Sequence, residues 1–102
     1  MTSVSRTPLR DLVEARREDI KAVVARHQVC SVSLFGSVAR GDEGPQSDID
    51  FLVELKPGVR PFTLLVLGAE LEDLLGVRVD IGRVESLRAG IRDRVLVEAV
   101  LL

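Results

Sequence analysis

The fold is decided by the stretch Gly-Ser-Val-Ala-Arg-Gly-Asp-Glu-Gly-Pro-Gln-Ser-Asp-Ile-Asp, which runs from Gly36 to Asp50. It joins two segments with the character of β-strands, residues 29–35 and 48–55. Within it, residues 36–41 fit a turn or a short helix, and a Gly-Pro breaker precedes the second strand. Alternation along the first strand predicts one face made of Cys30, Val32 and Leu34.

Helices and one further strand are predicted around this centre. A first helix fits residues 7–27, with Thr7 as its N-cap and a proline at its first position. A second long helix fits residues 61–75, a third strand residues 77–81, and a last helix begins at the cap Ser86. We therefore expect residues 1–102 to form one α+β domain, a small mixed sheet of three core strands flanked by helices.

Composition excludes several classes of protein. The 102 residues are 46% hydrophobic and 29% charged, as in a single soluble globular domain. An apolar run of only six residues, 64–69, is too short to span a bilayer. The lone Cys30 and a start without a signal-peptide core predict a reduced, cytoplasmic setting. A net charge of −2 argues against direct nucleic-acid binding.

Acidic residues are concentrated in the middle of the chain. Residues 41–80 carry nine acidic and three basic side chains, whereas residues 1–40 carry four acidic and seven basic ones. Such a block either attracts a cation or is ordinary solvated charge, and the total does not decide between the two.

Asp48 and Asp50 are two residues apart on a predicted strand, so both carboxylates project from one face. Like charges held this close repel unless a cation lies between them. Mg²⁺ suits the pair because it takes oxygen ligands, typically one or two carboxylates plus substrate phosphates. The alternative is an exposed strand start with solvated acids, which is the commoner meaning of an isolated Asp-x-Asp.

Gly36 and Ser37 favour the functional alternative. A strand that ends in Gly-Ser and turns into a short helix offers backbone amides and a hydroxyl to a phosphate. Gly36 would let the phosphate approach the backbone, and Ser37 would donate a hydrogen bond to it. Ten residues separate this pair from Asp-x-Asp, and the combination is far more specific than either part.

With this spacing, the chain resembles the nucleotidyltransferase superfamily of the DNA polymerase β fold. Gly-Ser-Val-Ala-Arg-Gly followed by Ser-Asp-Ile-Asp-Phe-Leu-Val is similar to the minimal nucleotidyltransferases (MNT proteins), over nearly the whole chain. The resemblance implies a third carboxylate on a later strand, which Asp80 matches. It also implies ATP as substrate and Mg²⁺ on Asp48 and Asp50, with a second ion shared with Asp80.

The resemblance further implies a partner. MNT proteins usually act beside a small HEPN protein as the antitoxin of a toxin–antitoxin pair, and some adenylylate a tyrosine of that toxin. We therefore expect an Mg-dependent transfer of a nucleoside monophosphate, either AMP from ATP, which is the leading choice, or another one, to a hydroxyl of a HEPN-type toxin. The alternative is an antitoxin that neutralises its partner by binding alone. Transfer to a small molecule is a third possibility, and a homo-oligomer is also possible.

Several other residues have two interpretations. Arg40 either reaches a phosphate oxygen or pairs with the neighbouring Asp42 or Glu43. His27 is expected to interact with a helix C-terminus, Ser47 to stabilise a turn, and Cys30 to lie in the core. The apolar end, residues 97–102, is expected to be the final turn of a packed helix or an interface. The phenylalanines are expected to be core residues rather than partners of a base: Phe35, Phe51 and Phe62.

Overall fold

The structure, a computed structural model, describes residues 7–84, 90, 93 and 97–102. Helices and strands are interspersed along the chain and form the α+β fold that the sequence predicts. The helices are α1 (Pro8–Ala15), α2 (Arg17–Ala25), α3 (Gly36–Arg40) and α4 (Thr63–Leu75). The strands are β1 (Val29–Phe35), β2 (Ile49–Leu55), β3 (Val79–Arg83) and β4 (Val100–Leu101).

The sheet is mixed and has the strand order β3-β2-β1-β4. Strand β1 runs antiparallel to both β2 and β4, whereas β2 and β3 are parallel. The described sheet thus has four strands where the sequence predicts three core strands. The fourth comes from the apolar end: Val100 pairs with Leu34 and Leu101 with Ser33. An apolar segment fits a helix turn or a strand equally well, and pairing with the open edge of β1 decides between them.

The first predicted helix is two helices. Arg16 leaves the helical region, with φ −109° and ψ 15°, and separates α1 from α2. The break lets the two halves contact different parts of the fold, because α1 packs against α3 while α2 packs against β1 and α4. The prediction of one continuous helix is therefore wrong, although its apolar stripe is buried at Val13 and Ile20.

Cys30 is exposed, which contradicts its predicted place in the core. The pairing of β1 with β2 shifts register between Val29 and Ser31, so the strict alternation that the sequence suggests is interrupted at Cys30. Beyond this irregularity the prediction holds, because Val32 and Leu34 are buried.

The core lies where α2 and α4 cover the sheet. It includes Ile20 and Val23 of α2, Phe51 and Val53 of β2, and Leu67 and Leu71 of α4. Of the phenylalanines, Phe51 is fully buried as predicted, Phe35 is partly buried, and Phe62 is exposed, so its assignment to the core is wrong.

The predicted last helix falls largely outside the described residues; of it, Gly90, Asp93 and residues 97–98 are described, and they are helical. Helix α4 begins two residues later than predicted and ends, as predicted, before Gly76 in the left-handed conformation. Among the described helices, none has the length and the apolar character that crossing a membrane requires.

Candidate active site

Three residues from neighbouring strands lie side by side at one end of the sheet. Asp50 of β2 is the register partner of Phe35 at the end of β1 and of Asp80 near the start of β3. Side chains of register partners project from the same face of a sheet. Asp50 therefore lies between the turn that follows Phe35 and the carboxylate of Asp80. The sequence predicts Asp80 on the polar face of its strand, and the parallel register brings that face to Asp50.

Gly36 closes tightly over Asp50. Its φ of +75° is in the left-handed region, and a Cβ built there would overlap the Asp50 carboxylate oxygen and lie 3.2 Å from its Cγ. Only glycine combines this backbone conformation with so close an approach. The backbone at the start of α3 therefore lies directly against the Asp50 carboxylate, with no side chain between them.

The carboxylates are close enough to affect one another. Burial, followed by the charges of Asp80 and then Asp48, raises the pKa of Asp50 above its usual value, while Arg40 opposes the rise. Asp50 is partly buried, Asp48 is partly buried and Asp80 is exposed. Negative charge is thus concentrated at a partly desolvated position. A bound cation would reduce the repulsion among the carboxylates.

The loop before Asp48 is held by serine hydroxyls. The Ser37 hydroxyl donates to the Ser47 hydroxyl, with 3.4 Å between the oxygens. The Ser47 hydroxyl also accepts a hydrogen bond of 2.8 Å from the backbone N–H of Gly44, and the Ser47 N–H donates to the Gly44 carbonyl. Ser47 therefore stabilises a turn, as predicted, and connects the Gly-Ser pair to Asp48.

Arg40 pairs with acidic neighbours. Its Nε donates to Asp42 Oδ2 at 3.2 Å, and its Nη1 lies 3.7 Å from Glu98 Oε1. Its positive charge opposes the rise in the pKa of Asp50. Of the two predicted partners, Asp42 is the one it contacts, and about half of the Arg40 side chain remains exposed.

Glu43 and Glu72 support the site through contacts that the sequence does not predict. Glu43 Oε2 accepts a hydrogen bond of 3.1 Å from the N–H of Leu9, which joins the active-site loop to the start of α1. Glu72 Oε2 accepts one of 3.0 Å from the N–H of Val79, immediately before Asp80. Local sequence patterns contain no signal for either contact, because the partners are 34 and seven residues apart.

The carboxylates of the site are ligands that a hard divalent cation prefers, and two of them at a time could bind it. Within the ranges that the structure describes, no three His, Cys, Asp or Glu side chains form a group arranged to hold a metal ion. The charges of Asp80 and Asp48 both act on Asp50. Mg²⁺ commonly takes one or two protein carboxylates and fills its octahedron with water and substrate phosphate oxygens. Two carboxylates at a time therefore meet its needs.

A mixed sheet with this Gly-Ser turn and these three aspartates agrees with the nucleotidyltransferase that the sequence resembles. Residues 16–102 match the model of the nucleotidyltransferase domain, and the chain belongs to this family. It has the size and the core of a minimal nucleotidyltransferase: a solved structure described as one is 42% identical, with a TM-score of 0.83, over 91% of this chain and 95% of that one.

Two curated relatives carry more specific names. One is a candidate protein adenylyltransferase of Methanocaldococcus jannaschii, 39% identical over 84 residues, which cover 82% of this chain and 90% of the relative. The other is the protein adenylyltransferase MntA of Thermococcus cleftensis, 34% identical over 91 residues, which cover 81% and 92%.

One solved complex shares the fold at lower identity. It contains a tri-AMPylated HEPN toxin of Shewanella oneidensis with its MNT antitoxin. The matched chain is 18% identical, with a TM-score of 0.66, over 86% of this chain and 69% of that one. At this identity the match shows a common fold.

Proposed function

We propose that this enzyme transfers AMP from ATP, with Mg²⁺, to a hydroxyl of a partner protein, and that the partner is a HEPN-type toxin which the transfer inactivates. The observation that carries the proposal is the position of Asp50, between the Gly36 turn and Asp80. One side of Asp50 offers a phosphate-binding turn, and the other offers a carboxylate for an acceptor.

On the side of Asp50 that faces the Gly36 turn, the chain would hold the triphosphate. Gly36 lets a phosphate approach the backbone, and the Ser37 hydroxyl, now directed at Ser47, is available to donate to a phosphate oxygen. Arg40 would supply a planar pair of donors when it leaves Asp42. These residues would bind and orient the triphosphate. Their donor groups all lie in the segment that follows β1.

On the second side, Asp80 would accept the proton of the acceptor hydroxyl. The oxygen of that hydroxyl forms a bond to the α-phosphorus while the bond between the α-phosphorus and the bridging oxygen breaks, and pyrophosphate leaves with the electron pair. The exposed position of Asp80 at the sheet edge suits a group that must meet a macromolecule.

Asp48, Asp50 and Asp80 would hold Mg²⁺ in pairs. When bound, the ion would neutralise the charge that develops on the leaving pyrophosphate and relieve the repulsion among the three carboxylates. Without it, the same carboxylates repel the triphosphate. We therefore expect nucleotide binding to require the divalent cation.

The names of the two curated relatives support a protein as acceptor, since one is named a protein adenylyltransferase and the other a candidate for that activity. The shared fold with an antitoxin bound to an AMPylated HEPN toxin supports the choice of partner. Binding without transfer is the competing account of such a pair.

The proposal is tested by incubating the chain with ATP, Mg²⁺ and the protein encoded by the neighbouring gene, which we expect to be the HEPN protein, followed by intact-mass spectrometry. We expect the HEPN protein to gain the mass of one or more AMP groups, and we expect a chelator to prevent the gain. A HEPN protein that forms a complex but never gains mass would establish binding alone and overturn the proposed transfer.

A further inference from the structure

Two polar contacts, made by neighbouring residues of α1, tie this helix to the segment that precedes Asp48. The backbone N–H of Leu9 donates a hydrogen bond of 3.1 Å to Glu43 Oε2. The next residue, Arg10, donates one of 3.3 Å from its Nη1 to the carbonyl oxygen of Ala39 in α3. The partners are 34 and 29 residues apart in the sequence, so both contacts depend on the tertiary fold. The first turn of α1 thus holds two points of the loop region.

The contact with Glu43 satisfies the start of α1. The first backbone N–H groups of a helix have no partner inside the helix, and Pro8, at the first position, has no N–H. The hydroxyl oxygen of the N-cap Thr7 accepts from the N–H of Arg10, and Glu43 accepts from the N–H of Leu9. A carboxylate is also favoured there by the helix dipole. Glu43 therefore acts as a second cap of α1, supplied by a distant part of the chain.

The second oxygen of the Glu43 carboxylate is buried. In the part of the chain that the structure describes, this oxygen, Oε1, has no hydrogen-bond partner. Burying a carboxylate oxygen without a partner costs free energy, and a loop side chain avoids that cost by turning toward water. The neighbouring residues Asp42 and Gly44 are exposed. The inward position of Glu43 therefore indicates a contact that the fold retains for a purpose.

Packing between the start of α1 and the loop is otherwise open. A cavity of about 440 Å³ lies there, and its lining includes residues 7–9 on the helix side and residues 43–45 and Ser47 on the loop side. Leu9 and Glu43, which share the hydrogen bond, both belong to this lining. An open region lacks the dense side-chain packing that fixes distances in a protein core. The hydrogen bond is therefore a direct link between the helix and the loop.

Only four residues separate Glu43 from Asp48, and they form a closed turn. The N–H of Gly44 donates to Ser47 Oγ at 2.8 Å, and the N–H of Ser47 donates to the carbonyl oxygen of Gly44 at 3.1 Å. Residues 44–47 are thus a compact unit, with Glu43 immediately before it and Asp48 immediately after it. A displacement of Glu43 is therefore passed through this turn to Asp48.

We propose that Glu43 is a positioning residue for Asp48. Its hydrogen bond with the N–H of Leu9 fixes the turn, and the turn fixes where the Asp48 carboxylate lies relative to Asp50. The proposal rests on the proposed function, since it takes Asp48 and Asp50 as carboxylates that would hold Mg²⁺ with ATP. Side chains that orient metal ligands from behind commonly change metal affinity about 10–100-fold when they are replaced.

Glu43→Ala and Thr7→Ala are a matched pair of variants. Each removes one acceptor of an N–H in the first turn of α1, that of Leu9 in the first variant and that of Arg10 in the second. Both should lower the melting temperature, because both remove a cap. The loss of Glu43 alone also releases the turn before Asp48.

Calorimetry with ATP in millimolar Mg²⁺ distinguishes the two effects. We expect Glu43→Ala to bind ATP at least about tenfold more weakly than the wild type, and Thr7→Ala to bind it within about twofold of the wild type. A role of Glu43 in the stability of α1 alone predicts the same affinity for both variants. Equal affinities, at the wild-type level or below it, would therefore overturn the positioning role.

Glu43→Gln separates position from charge. Glutamine keeps an oxygen that accepts from the N–H of Leu9, but it lacks the negative charge. We expect ATP affinity within about threefold of the wild type. A tenfold loss in Glu43→Gln would show that the charge of Glu43 matters, and it would overturn the positioning role even where Glu43→Ala does not fold.

Amide resonances report on the turn without nucleotide. Those of Ser47 and Asp48 should shift in Glu43→Ala and keep their wild-type positions in Thr7→Ala. Unshifted resonances in Glu43→Ala would contradict the link through the turn. None of these measurements needs the partner protein. A wild-type chain that binds ATP with Mg²⁺ but never labels the HEPN protein would refute the proposed transfer, while the comparison of ATP affinities would still decide the role of Glu43.

Discussion

Gly36 and Asp50 approach so closely that the smallest side chain on Gly36 would overlap the Asp50 carboxylate. We therefore expect Gly36→Ala to displace Asp50 or the start of α3. Backbone strain alone at φ +75° costs about 1–2 kcal/mol for a residue with a Cβ, and the overlap adds to it. ATP affinity, measured by calorimetry with Mg²⁺, should fall at least about tenfold, and the melting temperature should also fall.

Gly58→Ala separates the two effects. Gly58 has a φ of +85°, yet nothing lies within 4 Å of a Cβ built there. This variant should lose a similar amount of stability through strain and keep its affinity for ATP. If Gly36→Ala bound ATP as well as Gly58→Ala does, the close approach to Asp50 would have no role in binding.

Asp50→Asn should stabilise the metal-free protein. Burial and the charges of Asp80 and Asp48 raise the pKa of Asp50 in the folded chain. A carboxyl with a raised pKa binds its proton more tightly when folded, so its ionised form opposes folding at neutral pH, and stability improves as the pH falls through the folded pKa. The asparagine variant lacks this cost.

Thermal denaturation in a chelator checks this expectation. The melting temperature of Asp50→Asn should exceed that of the wild type at pH 7, and the difference should shrink in acid. Millimolar Mg²⁺ should raise the melting temperature of the wild type more than that of the variant. A variant that is less stable than the wild type at both pH values would contradict the electrostatic account.

Much of the site could be predicted from local sequence. The Gly-Ser turn, its distance to Asp-x-Asp and the polar face of β3 all depend on spacing within one or two elements. Alternation alone does not reveal which strands are neighbours, and the contact of Asp50 with Asp80 depends on the parallel register of β2 and β3. That register results from packing of the whole sheet.

The errors have the same cause. Cys30 is exposed because the pairing of β1 with β2 is irregular, and Val100 joins the sheet because an edge of β1 is available to it. The break at Arg16 reflects the different partners of α1 and α2. In each case a tertiary contact overrides a local pattern that fits two structures.

A pH-dependent contact joins α2 to α4. His27 Nε2 lies 3.0 Å from Glu70 Oε1, just beyond the end of α2, where the sequence predicts a helix-terminus role for His27. The hydrogen bond from His27, and then the charges of His27 and Arg26, lower the pKa of Glu70. This contribution to stability is present above the usual carboxyl pKa and is lost as the pH falls through the lower folded value.

Glu70→Gln should therefore melt at a lower temperature than the wild type at pH 6–7. The two curves should converge as the pH falls below about 4.3, the ordinary pKa of glutamate. Glu54→Gln, a change at an exposed carboxylate of β2, serves as the control and should follow the wild type. If the difference in melting temperature between Glu70→Gln and the wild type stayed constant from pH 7 to pH 3, the charge of Glu70 would make no contribution to stability.

Arg40 and Asp42 should affect nucleotide binding in opposite directions. Arg40→Ala removes a proposed donor to the triphosphate and should weaken ATP binding about tenfold or more. Asp42→Asn removes the partner that holds Arg40 Nε at 3.2 Å and should leave binding unchanged or tighter. Calorimetry with Mg²⁺ measures the ATP affinity of both variants. If Arg40→Ala bound ATP as tightly as the wild type, Arg40 would form ion pairs without contributing to nucleotide binding.

The central claim is that the carboxylates of Asp48 and Asp50 are used for transfer rather than for holding a partner. The most direct measurement is AMP transfer from labelled ATP to the HEPN protein by the variant carrying both Asp48→Asn and Asp50→Asn, together with its affinity for that protein. Both changes are nearly isosteric and remove charge from a crowded site. We predict no label on the HEPN protein, with the complex retained. Transfer at the wild-type rate by this variant would contradict the account.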